Sequence, residues 1–169
     1  QKIGLSPLFS KPPTFANALT QNIGGGNTMV MNKLARNLVA KSADNADIVA
    51  HDWWAYIITS AAGGNIYYDA EPCLSYRQHE LNNVGSNHRW ISKLTRLHQL
   101  VKGRYRLWAE QNVKALEQNI DLLTDQNRQT LELFSRGRNA SFPMRVLLMK
   151  KSGIYRQTFL GNLGLWLYV

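Results

Sequence analysis

The stretch "AHDWWAYII" (50–58) sets a carboxylate and an imidazole directly before two tryptophans, a tyrosine and a helix-like apolar run. Read as a lone segment, it is a helix start. Asp52 is then the N-cap, accepting from orphan backbone N–H groups, with Trp53, Trp54, Ile57 and Ile58 as the buried stripe. A second cluster, "YRQH" (76–79), brings Arg77 and His79 together. The guanidinium fork of Arg77 suits a phosphate, and a neighbouring acid such as Glu71 would satisfy it equally well. A lone histidine is as readily a surface or core residue as a ligand. The "GGG" of 24–26 has no following Gly-Lys-Ser/Thr and is no phosphate loop. It reads as close backbone packing at Gly25 and Gly26. "HRW" (88–90) has no glutamine at the spacing of a Gln-x-x-Arg-Trp motif and reads as a chance match.

These residues need elements to hold them. "LSPLFSKPPTF" (5–15) reads as extended, and Thr14 then caps a short helix in "TFANALTQN". "IGGGNTMVMN" (23–32) is a glycine turn feeding a short strand. "NKLARNLVAKS" (32–42) is a helix with Leu34, Leu38 and Val39 on one face. The 52–62 helix ends at Gly63-Gly64, which serve as C-cap glycines. "NIYYDAEPCLSYRQH" (65–79) gives two short β runs broken at Glu71-Pro72, with Cys73 as a buried structural thiol. From Trp90 to Glu132 apolar residues recur at helical spacing, among them Leu107, Val113, Leu116, Ile120 and Leu123. After a basic break at 135–143 the chain resumes as two short helices around Gly153.

The chain has 169 residues, 44% hydrophobic and 18% charged, which describes a globular domain. One cysteine excludes an internal disulfide and fits a reducing compartment. No apolar run reaches the roughly 20 residues that span a bilayer, and the opening residues do not read as a secretory signal. The start at Gln1 leads us to expect a piece of a longer protein. The net charge of +9 is one-sided: residues 1–86 balance six Lys/Arg against six Asp/Glu, while 87–169 hold 14 against five. The second half therefore faces an anionic partner. It lacks a zinc pattern, an RNP-like motif or a helix-turn-helix glycine, so nucleic acid is not expected to be that partner.

Taken in order, "GGGNTMVM" (24–31), "HDWW" (51–54), "YYDAEPCL" (67–74) and "YRQHELNN" (76–83) resemble the second half of family 2 glycosyltransferases with the GT-A fold. The bacterial rhamnosyltransferase-like branch is the nearest. The resemblance implies an α+β fold: residues 1–86 as the acceptor-side half of a GT-A domain, incomplete as given, and 87–169 as a basic helical extension. It implies an inverting transfer of a sugar, rhamnose among the candidates, from a nucleotide sugar to a glycan or lipid-linked acceptor in surface polysaccharide synthesis. Asp52 becomes the general base. Trp53, Trp54, Gly25 and Gly26 line the acceptor site, and Arg77 and His79 face the leaving diphosphate. His79 also completes a divalent metal site for Mg²⁺ or Mn²⁺ in the longer parent, while the fragment itself holds no metal. No Asp-x-Asp occurs in the chain, so the fragment is expected to be inactive alone. Where relatives read His-Gly-Asn-Asn, this chain has Glu80-Leu81 in place of one glycine.

The resemblance further implies a cytoplasmic protein, peripheral to the inner membrane of a bacterium through residues 144–169. An uncovered sheet edge in a half-domain implies pairing with a second copy. A different reading of the same charge is a non-enzymatic helical module that binds an anionic partner, nucleic acid or membrane.

Overall fold

A computed structural model describes residues 6, 8–44, 46–72, 74–75 and 103–168. The described elements are helical: α1 (Phe15–Ala18), α2 (Lys33–Ala43), α3 (His51–Ala61), α4 (Arg104–Glu117), α5 (Asp125–Arg138), α6 (Phe142–Lys151) and α7 (Phe159–Tyr168). Two short 3₁₀ turns, Gly26–Thr28 and Ile120–Leu122, complete the set.

No strand occurs among the described residues, which overturns the expected α+β half of a GT-A fold. The glycine run shows why. Thr28 closes back on the Gly25 carbonyl through both its N–H and its hydroxyl, winding 26–28 into a 3₁₀ turn. Beyond it Val30 is 98% exposed, with no neighbouring chain beside it. Residues 64–70 likewise run without ladder bonds. Alternating apolar residues make a strand only when a second chain segment takes up their backbone groups. The sheet edge on which pairing with a second copy was expected is likewise absent among the described residues. The second β run, Cys73 and the helical pattern from Trp90 to Val101 lie outside the described residues.

The core is built around α3. Trp54, Ile57, Ile58 and Ala61 are fully buried, and Trp53 and Tyr56 nearly so. They pack with Phe15, Ala18 and Leu19 from the N-terminal side and with Val113, Leu116, Leu123, Phe134 and Met149 from the later helices. The residues with 3.6-residue spacing at 113, 116 and 123 are thus core. Leu107 and Leu34, assigned to the same kind of stripe, are exposed.

Local signals set the helix limits. Thr14 caps α1 by accepting from the Asn17 N–H, and Asn32 caps α2 by accepting from the Ala35 N–H. α3 ends as its two glycines predict: Gly63, at φ 81°, sends its N–H to the Ser60 carbonyl, and Gly64 to the Thr59 carbonyl. That is the paired closure of a Schellman end. The remaining α3 carbonyls are taken from afar. The Thr124 N–H bonds to the Ala61 carbonyl, and the Asn127 amide donates to the carbonyls of Ser60 and Ala61. The start of α5 is thereby pinned to the end of α3.

The two ends of the described chain are laced together. Lys11 and Gln157 exchange a backbone-to-side-chain pair of hydrogen bonds, at 2.9 and 3.0 Å. Tyr155 offers its carbonyl to Asn17 and Thr20, and Arg156 reaches the Thr20 carbonyl at 2.7 Å. α5 and α6 pack closely at Gly137, where a Cβ would come within 3.0 Å of the Met149 side chain.

Candidate functional site

The site named by the sequence sits where α3 begins. Ala50, not Asp52, is the N-cap, and it makes no side-chain capping bond. Asp52 stands two positions inside. One carboxylate oxygen accepts from the Trp53 N–H at 2.7 Å, and the other from the Gly26 N–H at 3.2 Å. The first bond satisfies an orphan donor of the first helical turn, where the helix dipole also favours a negative charge. The second ties the glycine turn to the helix. Asp52 is half-buried and forms no ion pair among the described residues.

Gly26 belongs to this arrangement for a steric reason. A Cβ on it would collide with the imidazole of His51, which lies against the turn and is otherwise exposed. A Cβ on Gly25 would come within 3.0 Å of the Asn27 side-chain oxygen. The structure therefore brings Gly25, Gly26 and Asp52 together and adds His51, whose only sequence signal is its place before the aspartate.

The tryptophans go elsewhere. Trp54 has no exposed surface and donates its indole N–H to Ser42 at 2.9 Å. Trp53 is 8% exposed, donates to the Ala18 carbonyl at 2.7 Å and meets Trp108 edge to face. Both rings are packed in the core, and neither presents a free face beside Asp52. An N-terminal helical turn can direct only part of its circumference outward, and here positions 53 and 54 point in. Arg77 and His79 lie outside the described residues.

Beneath the site, Tyr56 holds α3 against the N-terminal segment. Its single hydroxyl proton is shared between the Thr14 carbonyl and the Asn17 side-chain oxygen, both at 3.1 Å, and its oxygen accepts from the Thr14 N–H at 3.1 Å. Burial pushes this phenol well above its ordinary value of 10.0; the Thr14 backbone bond opposes the rise, and Tyr155 adds to it. The ring continues the apolar run of the sequence, which gives no hint of its polar end.

Two cavities accompany these elements. One of about 20 Å³, lined by Trp53, Tyr105, Phe134 and Leu165 among others, has room for about one water. The other is a polar groove of about 220 Å³ between α4 and α5, lined by Arg106, Glu110, Lys114, Glu117, Arg138 and Asn139. Lys114, hydrogen-bonded to Glu110 at 3.1 Å, holds that carboxyl below its ordinary range. Burial lowers the Arg138 guanidinium, and Glu110 opposes the shift. Arg138 donates to the Arg106 carbonyl at 3.0 Å, while its Nε has no partner.

Among the described residues no group of three or more His, Cys, Asp or Glu side chains could hold a metal ion.

Over 51 residues, 30% of its length, the chain is 41% identical to a dTDP-rhamnosyl transferase, RfbG, of Shigella flexneri. The match spans 18% of that protein's length. It is a partial similarity to a glycosyltransferase. No family model matches the chain, and no solved structure matches it.

Proposed function

We propose that this chain belongs to a sugar-transferring enzyme, within which Asp52 takes the proton from the acceptor hydroxyl. The partial match to a dTDP-rhamnosyl transferase is the observation that carries the reaction class. In this reading a nucleotide-linked sugar, dTDP-rhamnose first among the candidates, is the donor, and a glycan or lipid-linked glycan is the acceptor.

The geometry at α3 supports the residue. A carboxylate that accepts a proton from a hydroxyl in the transition state must be ionised, placed and reachable. Asp52 is fixed through two backbone N–H groups and keeps part of its surface open. Each oxygen has a second lone pair beyond the bond it already accepts. An acceptor hydroxyl at hydrogen-bond distance would donate to one of those lone pairs as it attacks the anomeric carbon. The nucleotide diphosphate leaves from the opposite face, and the configuration inverts. Trp53 and Trp54 contribute by holding the start of α3 rigid, not by stacking on sugar. Exposed His51, across the Gly26 turn, is the side chain best placed to meet the acceptor's other hydroxyls. Arg77 and His79 stay in the reading as diphosphate contacts, and a metal enters it only through His79.

The test is transfer from dTDP-rhamnose by the polypeptide that the complete reading frame encodes, compared with its Asp52→Asn variant. The amide keeps the shape but cannot take the proton, so turnover should fall by about 10²–10⁴-fold. The fold should survive with stability lowered by about 1–3 kcal/mol, because the amide can accept from only one of the two backbone N–H groups. Near-normal turnover in the variant would leave Asp52 as a helix-start residue and remove the proposed base.

A further inference from the structure

The C-terminal helices present a surface that sugar transfer does not use. In α7, Phe159, Leu160 and Leu163 fall within about 100° of the helix circumference. They are exposed by 82, 76 and 43% respectively. Leu165, on the opposite side, is buried and holds the helix to the core. Trp166 follows Leu163 by three positions and continues the stripe, half-buried. The Lys150 ammonium of α6 lies 5.7 Å from the centroid of its ring. The apolar stripe is therefore edged by a cation, and Lys151 beside it is exposed.

The surrounding chain has one sign. No Asp or Glu follows Glu132, while six Lys or Arg do. Among the described residues no helix is long and apolar enough to cross a membrane. An apolar stripe with a cationic margin, in a stretch of chain without an acid after Glu132, matches one kind of surface: acyl chains under anionic headgroups.

We propose that the Phe159–Leu160–Leu163 face of α7, with Lys150 and Lys151, seats the protein on an anionic bilayer. The three side chains enter the headgroup boundary while the two ammonium groups remain among the phosphates. Leu165 and the core side of Trp166 stay with the protein, so the stripe that inserts is Phe159, Leu160 and Leu163. The proposal is independent of sugar transfer, since vesicle binding requires no turnover.

The experiment is co-sedimentation of the 169-residue chain with phosphatidylcholine vesicles containing increasing phosphatidylglycerol. Binding should rise with the anionic fraction and fall with added salt. Replacing both lysines, Lys150→Ala with Lys151→Ala, should weaken it about 25-fold, roughly fivefold for each charge. Phe159→Ser with Leu160→Ser should weaken it at least about tenfold. Should that pair alter the circular dichroism, Leu160→Ala alone, at an exposed position, should still weaken binding about threefold. Val30→Ser, at an equally exposed apolar residue remote in sequence, should leave binding unchanged. Equal binding to neutral and anionic vesicles, no binding to either, or an equal loss in Val30→Ser would each overturn the proposal. So would a dimer in sedimentation velocity that the Phe159/Leu160 pair dissolves, because the face would then belong to a second copy.

Discussion

Removing one oxygen atom, with Tyr56→Phe, should cost this protein roughly 2–4 kcal/mol of stability. The hydroxyl joins α3 to the Thr14 backbone and to Asn17, whose side chain is fully buried. Each net hydrogen bond contributes about 1 kcal/mol, and stranding a buried acceptor adds about 1–3. In the variant the Asn17 side-chain oxygen loses its donor, while the Asn17 amide keeps its bond to the Tyr155 carbonyl. The Thr14 N–H loses its acceptor as well. Urea unfolding followed by tryptophan fluorescence and by circular dichroism measures the change. At an m-value of about 2 kcal/mol per M, the midpoint should fall by about 1–2 M with the slope preserved.

Alkaline pH gives a second, independent reading of the same group. The Tyr56 phenol is raised above its ordinary value of 10.0. Below pH 10 the folded and unfolded states both hold the proton, and this group leaves stability flat. Above it the unfolded chain releases the proton while the folded chain keeps it, so stability falls as pH rises. The share owed to Tyr56 is about 1 kcal/mol between pH 10 and 11. Tyr56→Phe should flatten the alkaline limb by that amount. A midpoint shift under about 0.5 kcal/mol, or an alkaline limb identical to the parent's, would refute the hydroxyl as a buried junction.

Gly26→Ala should change stability by less than about 1 kcal/mol, because the obstructing His51 imidazole is on an exposed side chain that can rotate away. The same variant should move the His51 side-chain NMR signals, and a large loss of stability restored by His51→Ala would show that the imidazole cannot yield. Arg138→Met should be neutral or stabilising by up to about 2 kcal/mol, since the buried guanidinium leaves its Nε without a partner. Thermal melts decide, and a drop of more than about 2 kcal/mol would mean that Arg138 joins α5 to α4 more strongly than its one described bond indicates.

Several features were legible because their causes lie within a few residues. Thr14 caps α1 through a neighbour three positions on, and Gly63-Gly64 close α3 on carbonyls within the same turn. The helical spacing of Val113 and Leu116 marks a buried face of α4 whatever covers it. Gly153, at φ 69°, separates α6 from α7 as the glycine between two periodic runs requires. The motif around Asp52 identified a carboxylate that does meet the glycine turn, since "GGG" and "HDWW" were read as parts of one site.

Other features depend on which distant segment supplies the partner. A strand exists only when another strand accepts its backbone bonds, and the runs at 23–32 and 65–72 have none beside them among the described residues. The pattern of alternating apolar residues is the same in an extended loop, so the expected sheet could not be told from its absence. Trp53 and Trp54 could have faced a ligand or the core. Ser42 and the Ala18 carbonyl decided it, by giving each buried indole N–H an acceptor. Asp52 was read as the cap, but the chain enters α3 two positions earlier, with the Gly26 N–H drawing the carboxylate toward the glycine turn. Nothing in the sequence marks Asn127, yet its amide closes the end of α3 from 66 residues beyond the Ala61 carbonyl. Sequence periodicity states that a face must be covered. Only the packed chain determines what covers it, because the free energy of burial is gained at contacts between segments that the linear order keeps apart.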